Sequence, residues 1–336
     1  MPTILGANTA DDSYEISNSI RYNDDDSPEM NRTPSSAGNR RTWTWSGWIK
    51  RGNITAFNVW GAGPNVNDRI HFDFNTAGDF QSEAKISGSE VMKLTGTRQL
   101  RDVAAWYHLV WRVDTTQSTE ANRVRIYVNG EQITFTGTTN YPSQNLEMEM
   151  NNTSVHKIGV RSYADSNIFD GYMAEVHFAD GQSYAPTTFA ETNSDGIWVP
   201  KDAKDDISYG TNGYYLEFKQ TGTSANSSGH GADTSGQDNH FNVNFDSDGR
   251  DITTDTPTNT YMTMNPFSTN SRGSFAEGNT KVTPQLQGSV PYGQVEFGTF
   301  AVNKGKWYYE VFVVENGAGG QVAFGWNERW EDNNYF

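Results

Sequence analysis

Residues 106–113 read WYHLVWRV, and Tyr107, Leu109, Trp111 and Val113 fall on one face of an extended chain. Period two with side chains this large predicts a half-buried core strand. The stretch RVRIYVNGEQITFTG at 123–137 sets Val124, Ile126 and Val128 on one face, reaches Asn129-Gly130 and continues into a second β-rich run. Asn and Gly both tolerate the positive φ of a two-residue type I′ turn, so a hairpin is expected here. Working outward, TWTWSGWIK at 42–50 places Trp43, Trp45 and Ile49 opposite Thr42, Thr44, Ser46 and Lys50, with Trp48 as the exception. Further alternation runs through 54–60 and 69–75, where Ile70, Phe72 and Phe74 are in register. In GYMAEVHF at 171–178, Tyr172, Ala174, Val176 and Phe178 point one way and Met173, Glu175 and His177 the other. Trp43, Trp45 and Trp111 are assigned to the core.

The chain has 336 residues, enough for about two domains. Only 35% of residues are hydrophobic, which alone would suggest disorder, but 10 Trp, 16 Tyr and 18 Phe contradict that. With 32 Gly and 11 Pro among many Asn, Ser and Thr, the pattern is short aromatic strands joined by polar turns, that is, an all-β antiparallel sandwich. The 41 acidic residues against 25 basic leave a net charge of -16, a field that repels phosphate backbones and anionic lipid surfaces. Nucleic acid and membrane are therefore poor partners. Cysteine is absent, which removes disulfides, thiolate metal sites and a cysteine nucleophile, so any staple is expected to be a metal or an interface. The first residues, MPTILGANTADDSYE, lack a basic region followed by an apolar run, and no stretch approaches the length of a membrane span. A soluble product without Sec export by that route is the expectation.

The organisation reads as a β-sandwich over 1–200, an extended polar connector with short strands over 201–278, and a second β domain over 279–336. Residues 219–240, KQTGTSANSSGHGADTSGQDNH, hold almost no apolar side chain and are read as a long loop or linker. Past 279, strands are expected at 294–302, 306–314 and 320–326, with 306–314 (KWYYEVFVV) apolar on both faces and hence central. Three strands are too few for a sandwich of their own, so this part is expected to be truncated or completed by neighbouring protein.

Several segments in order, NSIRYNDDDSPEM at 18–30, RTWTWSGWIKRG at 41–52, WYHLVWRVD at 106–114, RVRIYVNGEQI at 123–133 and HKIGVRSYADSNIFDGYMAEVHFADG at 156–181, resemble the concanavalin A-like jelly roll of the laminin-G and pentraxin type. The resemblance covers roughly residues 14–195 and implies a lectin-like binding sandwich. The segments KVTPQLQGSV, FGTFAVNKGKWYYEVFVVENG and QVAFGWN resemble the first half of a SPRY domain, another β-sandwich built for binding. The combination with TNSDGIWVPK at 192–201 and DTPTNTYMTMNP at 255–266 is similar to tail-fibre or other virion proteins of marine tailed bacteriophages. That resemblance implies a virion location, other virion proteins as partners, homo-oligomers and binding to a host-surface glycan. A purely structural virion subunit is the alternative.

Asp24, Asp25 and Asp26 crowd three carboxylates into one turn, and hard oxygen ligands in loops suit Ca²⁺. A solvated acidic loop accounts for the same residues, and no EF-hand spacing is present. The family resemblance adds Asp170 and Glu175 as further calcium ligands. His230, Asp233, Asp238 and His240 are read as part of the polar linker rather than a zinc site. His71, His108, His156 and His177 lie in strand patterns and imply no catalytic group. Glu147 and Glu149 share a face at i, i+2, yet the ExDxxE string of the superfamily's glucanases is missing, so a glycan hydrolase ranks last. No G-x-S-x-G, H-E-x-x-H or Walker A string occurs, and a non-enzymatic role is expected. Trp60, Tyr141 and Tyr163 fall at strand ends or in loops and are the candidate sugar-stacking residues.

Overall fold

Trp111 stands at the centre of a cluster of rings that seals two sheets together. Its indole lies edge-on to Trp43 at 4.9 Å and to Trp60 at 5.7 Å between centroids, and stacks on Phe72 at 4.6 Å. All four side chains are fully buried. The indole N–H groups of Trp43, Trp60 and Trp111 make no hydrogen bond. Each orphan donor costs about 1–3 kcal/mol. Burying about 150–250 Å² per ring, at about 25 cal/mol per Å², returns roughly 4–6 kcal/mol, so the apolar term wins.

The computed structural model describes residues 14–245, 251–267, 273–283, 296–314 and 324–326. In chain order the strands are Ser19–Tyr22 (β1), Glu29–Arg32 (β2), Thr42–Arg51 (β3), Phe57–Asn65 (β4), Asp68–Phe74 (β5), Asp79–Ile86 (β6) and Ser89–Gln99 (β7). They continue with Trp106–Asp114 (β8), Val124–Val128 (β9), Glu131–Gln132 (β10), Phe135–Asn140 (β11), His156–Ile158 (β12) and Gly171–Asp180 (β13). The remainder are Ala190–Thr192 (β14), Trp198–Pro200 (β15), Tyr214–Leu216 (β16), Asn242–Asn244 (β17), Ile252–Thr253 (β18), Ser274–Ala276 (β19) and Lys281–Thr283 (β20). The first sheet runs β10-β9-β8-β3-β13-β1-β18, with β16 also on β13, and the second runs β11-β7-β6-β5-β4-β12-β2-β17. Every pairing is antiparallel, as the all-β sandwich reading requires.

The inward faces follow the alternation closely. Trp43, Trp45 and Ile49 of β3, Leu109, Trp111 and Val113 of β8, and Ile70, Phe72 and Phe74 of β5 all join the main core. Asn129 and Gly130 take φ of 48° and 79°, which is the type I′ requirement. The run after that turn divides. Glu131 and Gln132 pair back on β9, and β11 then crosses to the second sheet and pairs with β7. Trp48 is buried although it faces outward, because a smaller core of Ile16, Trp106, Tyr172, Ala174 and Ala190 covers that face.

In β13 the sequence parity fails. Glu175 adopts φ of 49°, and the register with β3 shifts between Ala174 and His177. The bulge turns the strand over, so Met173, Val176 and Phe178 face the main core while Tyr172 and Ala174 face the outer one.

The stretch read as a connector is woven into the sandwich. β16 pairs with β13, β17 with β2, and β18 with β1. Residues 219–240 are ordered by hydrogen bonds instead of apolar burial. Asp233 accepts the N–H groups of Tyr215 and Ser235 on Oδ1 and of Asn239 on Oδ2, each at 2.8 Å. Asn239 in turn donates to the carbonyls of Thr211 at 2.9 Å and Gly213 at 2.8 Å. Composition alone hides such order, since it counts apolar area and not backbone partners.

The strand expected at 306–314 is not formed. These residues pair with no strand among the described residues, and Tyr308 and Phe312 are 80% and 87% exposed. A strand apolar on both faces needs a layer on each side, and among the described residues only the β19–β20 ribbon and a bridge from Met264 to Gly298 stand beyond residue 260. Residues 284–295, 315–323 and 327–336, which carry much of the SPRY-like reading including parts of 294–302 and 320–326, lie outside the described residues.

Replacing Trp111 with alanine is expected to cost about 3–5 kcal/mol of unfolding free energy. A denaturation curve with the wild-type midpoint would contradict its place at the centre of the core.

Candidate functional site

With Ile70, Phe72 and Phe74 turned inward, β5 must point Arg69, His71 and Asp73 to the outer face of the second sheet. Cross-strand registers extend His71 into a single row. Asn242, Asn31, Lys157, Gly61, His71, Glu83, Lys93 and Asn140 stand side by side, one from each of the eight strands. The row offers amides, ammonium groups, a carboxylate and an imidazole.

The loop after β12 folds over part of this row. Tyr163 is half-buried there, its ring 5.0 Å from the Arg69 guanidinium, 6.0 Å from that of Arg161 and 6.4 Å from the His71 ring. Lys157 bonds Glu29 at 2.5 Å and Asp165 at 2.9 Å, tying the loop to β2. Arg69 pairs with Glu83 across β5 and β6. Beneath Tyr163, Asp73 Oδ2 lies 3.4 Å from His71 Nε2 and 3.5 Å from Arg161. Burial lifts Asp73 to about 7 against the pull of Arg161. His71 is pushed down to about 3, first by burial and then by Arg69 and Arg161. The His71–Asp73 contact is therefore that of a neutral imidazole, not an ion pair. His71 Nδ1, Asp73 Oδ1 and the Nε atoms of Arg69 and Arg161 have no hydrogen-bond partner. These atoms are buried, and leaving them unbonded carries a cost that the surrounding packing offsets.

The candidate stacking residues separate. Trp60 is fully buried in the main core, stacked on Trp45 at 5.9 Å, and cannot touch a ligand. A register shift between Asn58 and Trp60 turns it inward, which strand-end position alone does not show. Tyr141 follows Asn140 at the far end of the row, half-buried edge-on against Phe135. Of the three, Tyr163 is the one beside the central polar groups.

The calcium candidates also separate. Asp24, Asp25 and Asp26 form an exposed 3-10 turn, with Asp26 accepting a bond from Asn23. Asp170 is buried, accepts Asn53 Nδ2 on Oδ2 at 2.8 Å and leaves Oδ1 unbonded. A Cβ at Gly52 would fall 2.4 Å from Asp170 Oδ2, so only glycine fits beside it. Burial, then Asp24 and Asp25, lift Asp170 to about 7. These three carboxyl groups feel one another. Glu175 does not join them, since five residues of strand, about 16 Å, separate it from Asp170. Its carboxylate accepts the Tyr215 hydroxyl at 2.6 Å and the Tyr14 hydroxyl at 3.2 Å on the outer side of the first sheet. Among the described residues no group of three or more His, Asp or Glu side chains is arranged to hold a metal ion. Where zinc might have been sought, His240 Nδ1 accepts the Asp233 N–H at 2.9 Å, and Asp238 points to solvent. Glu147 and Glu149 lie in a loop, paired with Arg41 and Arg40.

Sequence reasoning missed a polar nest behind the first sheet. Ser46 Oγ lies 2.8 Å from His108 Nε2, and the Trp198 indole donates to His108 Nδ1 at 3.1 Å. An acceptor at Nδ1 puts the imidazole proton on Nε2, so Ser46 receives a hydrogen bond instead of giving up a proton. This polarity is opposite to that of an activated serine. Burial also pushes His108 down to about 3. A separate cavity of about 250 Å³ lies between residues 101–104 and Asn265, Phe267 and Thr299.

Residues 25–183, a little under half of the chain, match the Laminin_G_3 family model, described as Concanavalin A-like lectin/glucanases superfamily. No curated protein matches the sequence. Among solved structures, the heptameric SAP-like pentraxin of Limulus polyphemus is 12% identical, covering 56% of this chain and 94% of its own, with a TM-score of 0.39. Tailspike protein 2 of Escherichia coli O157:H7 bacteriophage CAB120 is 14% identical over 47% of this chain and 22% of its own, with a TM-score of 0.33. The CBM40 of Ruminococcus gnavus IT-sialidase, solved with α2,3 sialyllactose, is 13% identical over 44% of this chain and 89% of its own, with a TM-score of 0.31. Likenesses this distant say nothing of what this chain binds.

A carboxyl raised in the folded state costs no stability below the unfolded value, and the cost grows as pH rises from there toward the folded value. For Asp170 that window runs from 3.8 to about 7. Asp170→Asn is therefore expected to stabilise the chain by about 1–3 kcal/mol at pH 8 in EDTA, and to match wild type at pH 4 and below. Parallel melting curves at both pH values would remove the raised carboxyl.

Proposed function

We propose that this chain is a non-enzymatic protein of a bacteriophage particle, in the tail or fibre, whose lectin-like sandwich meets a host-surface glycan on the outer face of the second sheet. The observation that carries this reading is the cross-strand polar row beside Tyr163. Sugars are bound by amide, ammonium and carboxylate groups that match their hydroxyls, together with an aromatic ring that covers an apolar pyranose face. The row supplies the first, and Tyr163, steadied between Arg69 and Arg161, supplies the second. The match of residues 25–183 to a family model described as Concanavalin A-like lectin/glucanases superfamily supports a binding role. The virion location rests on the resemblance of residues 192–201 and 255–266 to tail-fibre proteins.

Calcium belongs to the proposal at Asp170, whose unbonded Oδ1 and raised carboxyl would both be relieved by a divalent cation, with Asp24 and Asp25 as the neighbouring carboxylates. Asp26 and Glu175 are left out of the set. A purely structural subunit is the second reading, favoured by Trp307, Phe312, Val314 and Trp326, which are 51%, 87%, 74% and 59% exposed and would leave water only against other protein, whether virion partners or copies of the same chain.

On a glycan array the full chain is expected to bind, and Tyr163→Ala to weaken that binding by about 10-fold or more, near 1.4 kcal/mol, without moving the melting temperature. Silence on the array, with the chain present in purified particles, would replace the glycan reading by the structural one. Absence from the particles would remove both. Millimolar Ca²⁺ is expected to raise the melting temperature of wild type and not of Asp170→Asn; an equal response in the two would remove the metal from Asp170.

A further inference from the structure

Lys50 ends the outward-facing register of β3, yet its side chain is 0% exposed and that of its partner Asp255 is 4%. Nζ stands 2.8 Å from Asp255 Oδ2 and 3.0 Å from the Tyr261 carbonyl. The other oxygen, Oδ1, receives the Trp106 indole N–H at 3.1 Å and the Tyr261 backbone N–H at 3.3 Å. The Tyr172 ring lies 5.6 Å from Nζ. Asp255 is fixed from behind, its carbonyl accepting Ser19 Oγ at 2.6 Å and its N–H bonding Thr253 Oγ1 at 3.1 Å. An amine and a carboxyl are thus held together, without exposure to solvent, with two donors on one carboxyl oxygen.

We propose that Lys50 and Asp255 become joined by an intramolecular isopeptide bond between Nζ and Cγ, formed by the folded chain itself. In water the two groups stay ionised and do not condense. In a buried site the ion pair loses its solvation, and one proton moving along the Nζ–Oδ2 contact converts it to neutral amine and carboxylic acid. Burial does push the Lys50 ammonium below its ordinary value, with Asp255 opposing. With Nζ 2.8 Å from Oδ2, Cγ lies one bond further on, and a rotation of the lysine side chain turns the nitrogen lone pair from Oδ2 toward it; near-attack separations are about 3–3.5 Å. As Nζ–Cγ forms, the C=O electrons move onto Oδ1, where the Trp106 and Tyr261 N–H groups meet the developing charge. A second nitrogen proton passes to Oδ2, the Cγ–Oδ2 bond breaks, the C=O re-forms and Oδ2 departs as water. Two of the three ammonium protons and one carboxyl oxygen leave as that water, one secondary amide remains, and nothing is oxidised or reduced. The product replaces two buried charges by a neutral amide.

The bond would fasten the segment after β18, held otherwise by a two-residue strand and by hydrogen bonds such as those from Ser19 and Trp106 to Asp255, to β3 of the first sheet. It would serve as a covalent staple in a chain with no cysteine.

Mass spectrometry of the full chain, denatured after purification, tests this directly. The expected intact mass is one water below the sequence mass, and tryptic digestion should give a branched peptide joining residues 42–51 to the peptide that begins at Asp251. Lys50→Arg should return the full mass. Wild-type chain at full mass with the two peptides separate would overturn the proposal. So would a water lost elsewhere, for example as a succinimide at an Asp-Gly pair, because the two peptides would again run apart.

Discussion

The packing of Trp111 between Trp43, Trp60 and Phe72 is the constraint from which the rest follows. Two rings come from each sheet, and the arrangement of β3, β8, β4 and β5 buries all four. Once the large rings are committed to the interior, the surfaces left over are polar. Behind the first sheet, residues 184–209 cover that polar surface and bury Ser46, His108 and His177. Outside the second sheet the polar row stays partly open, with Lys93 40% exposed at one side and Tyr163 over the middle. A sandwich built on this core therefore has its open polar groups on a face and a rim, and burial pushes the His71, His108 and His156 imidazoles toward the neutral form.

The strands were legible because their signal is local. Alternation in 42–50, 69–75 and 106–113 depends only on neighbouring residues, and Asn129-Gly130 carries its own turn chemistry. What escaped was set by partners far along the chain. The bulge at Glu175 reverses the inward set of β13, and nothing in GYMAEVHF marks it; the Tyr14 and Tyr215 hydroxyls that its carboxylate accepts come from distant parts of the sequence. Trp60 looked like a strand-end residue and is a core residue for the same kind of reason. Residues 219–240 form a loop, one of the two readings the composition allowed, but its order was hidden because an aspartate that binds three backbone N–H groups contributes nothing to hydrophobicity. The candidate site divides likewise. Tyr163 could be picked out from position and residue type and Asp170 only through the family resemblance, but the row that joins Lys157 to His71 through Gly61 exists only once the register is known.

Several buried polar groups carry a cost that core packing must offset. Asp73 and Asp170 are both raised by burial, and His71 and His108 are both lowered by it. Two of these sit beside the open face and one at the rim, whereas His108 is bonded on both ring nitrogens and closed in. The difference is one of bonding: His71 Nδ1, Asp73 Oδ1 and Asp170 Oδ1 are unbonded, whereas both ring nitrogens of His108 are occupied.

The late strands have a further consequence for how the chain can be divided. β17 and β18 lie on the outer edges of β2 and β1, at neighbouring ends of the two sheets. A fragment cut near residue 200 would keep the tryptophan centre and still lose both guards, leaving two rows of unpaired backbone N–H and C=O groups. Such bare edges template strand addition, and the excised lectin-like portion should polymerise edge to edge where the longer chain remains discrete.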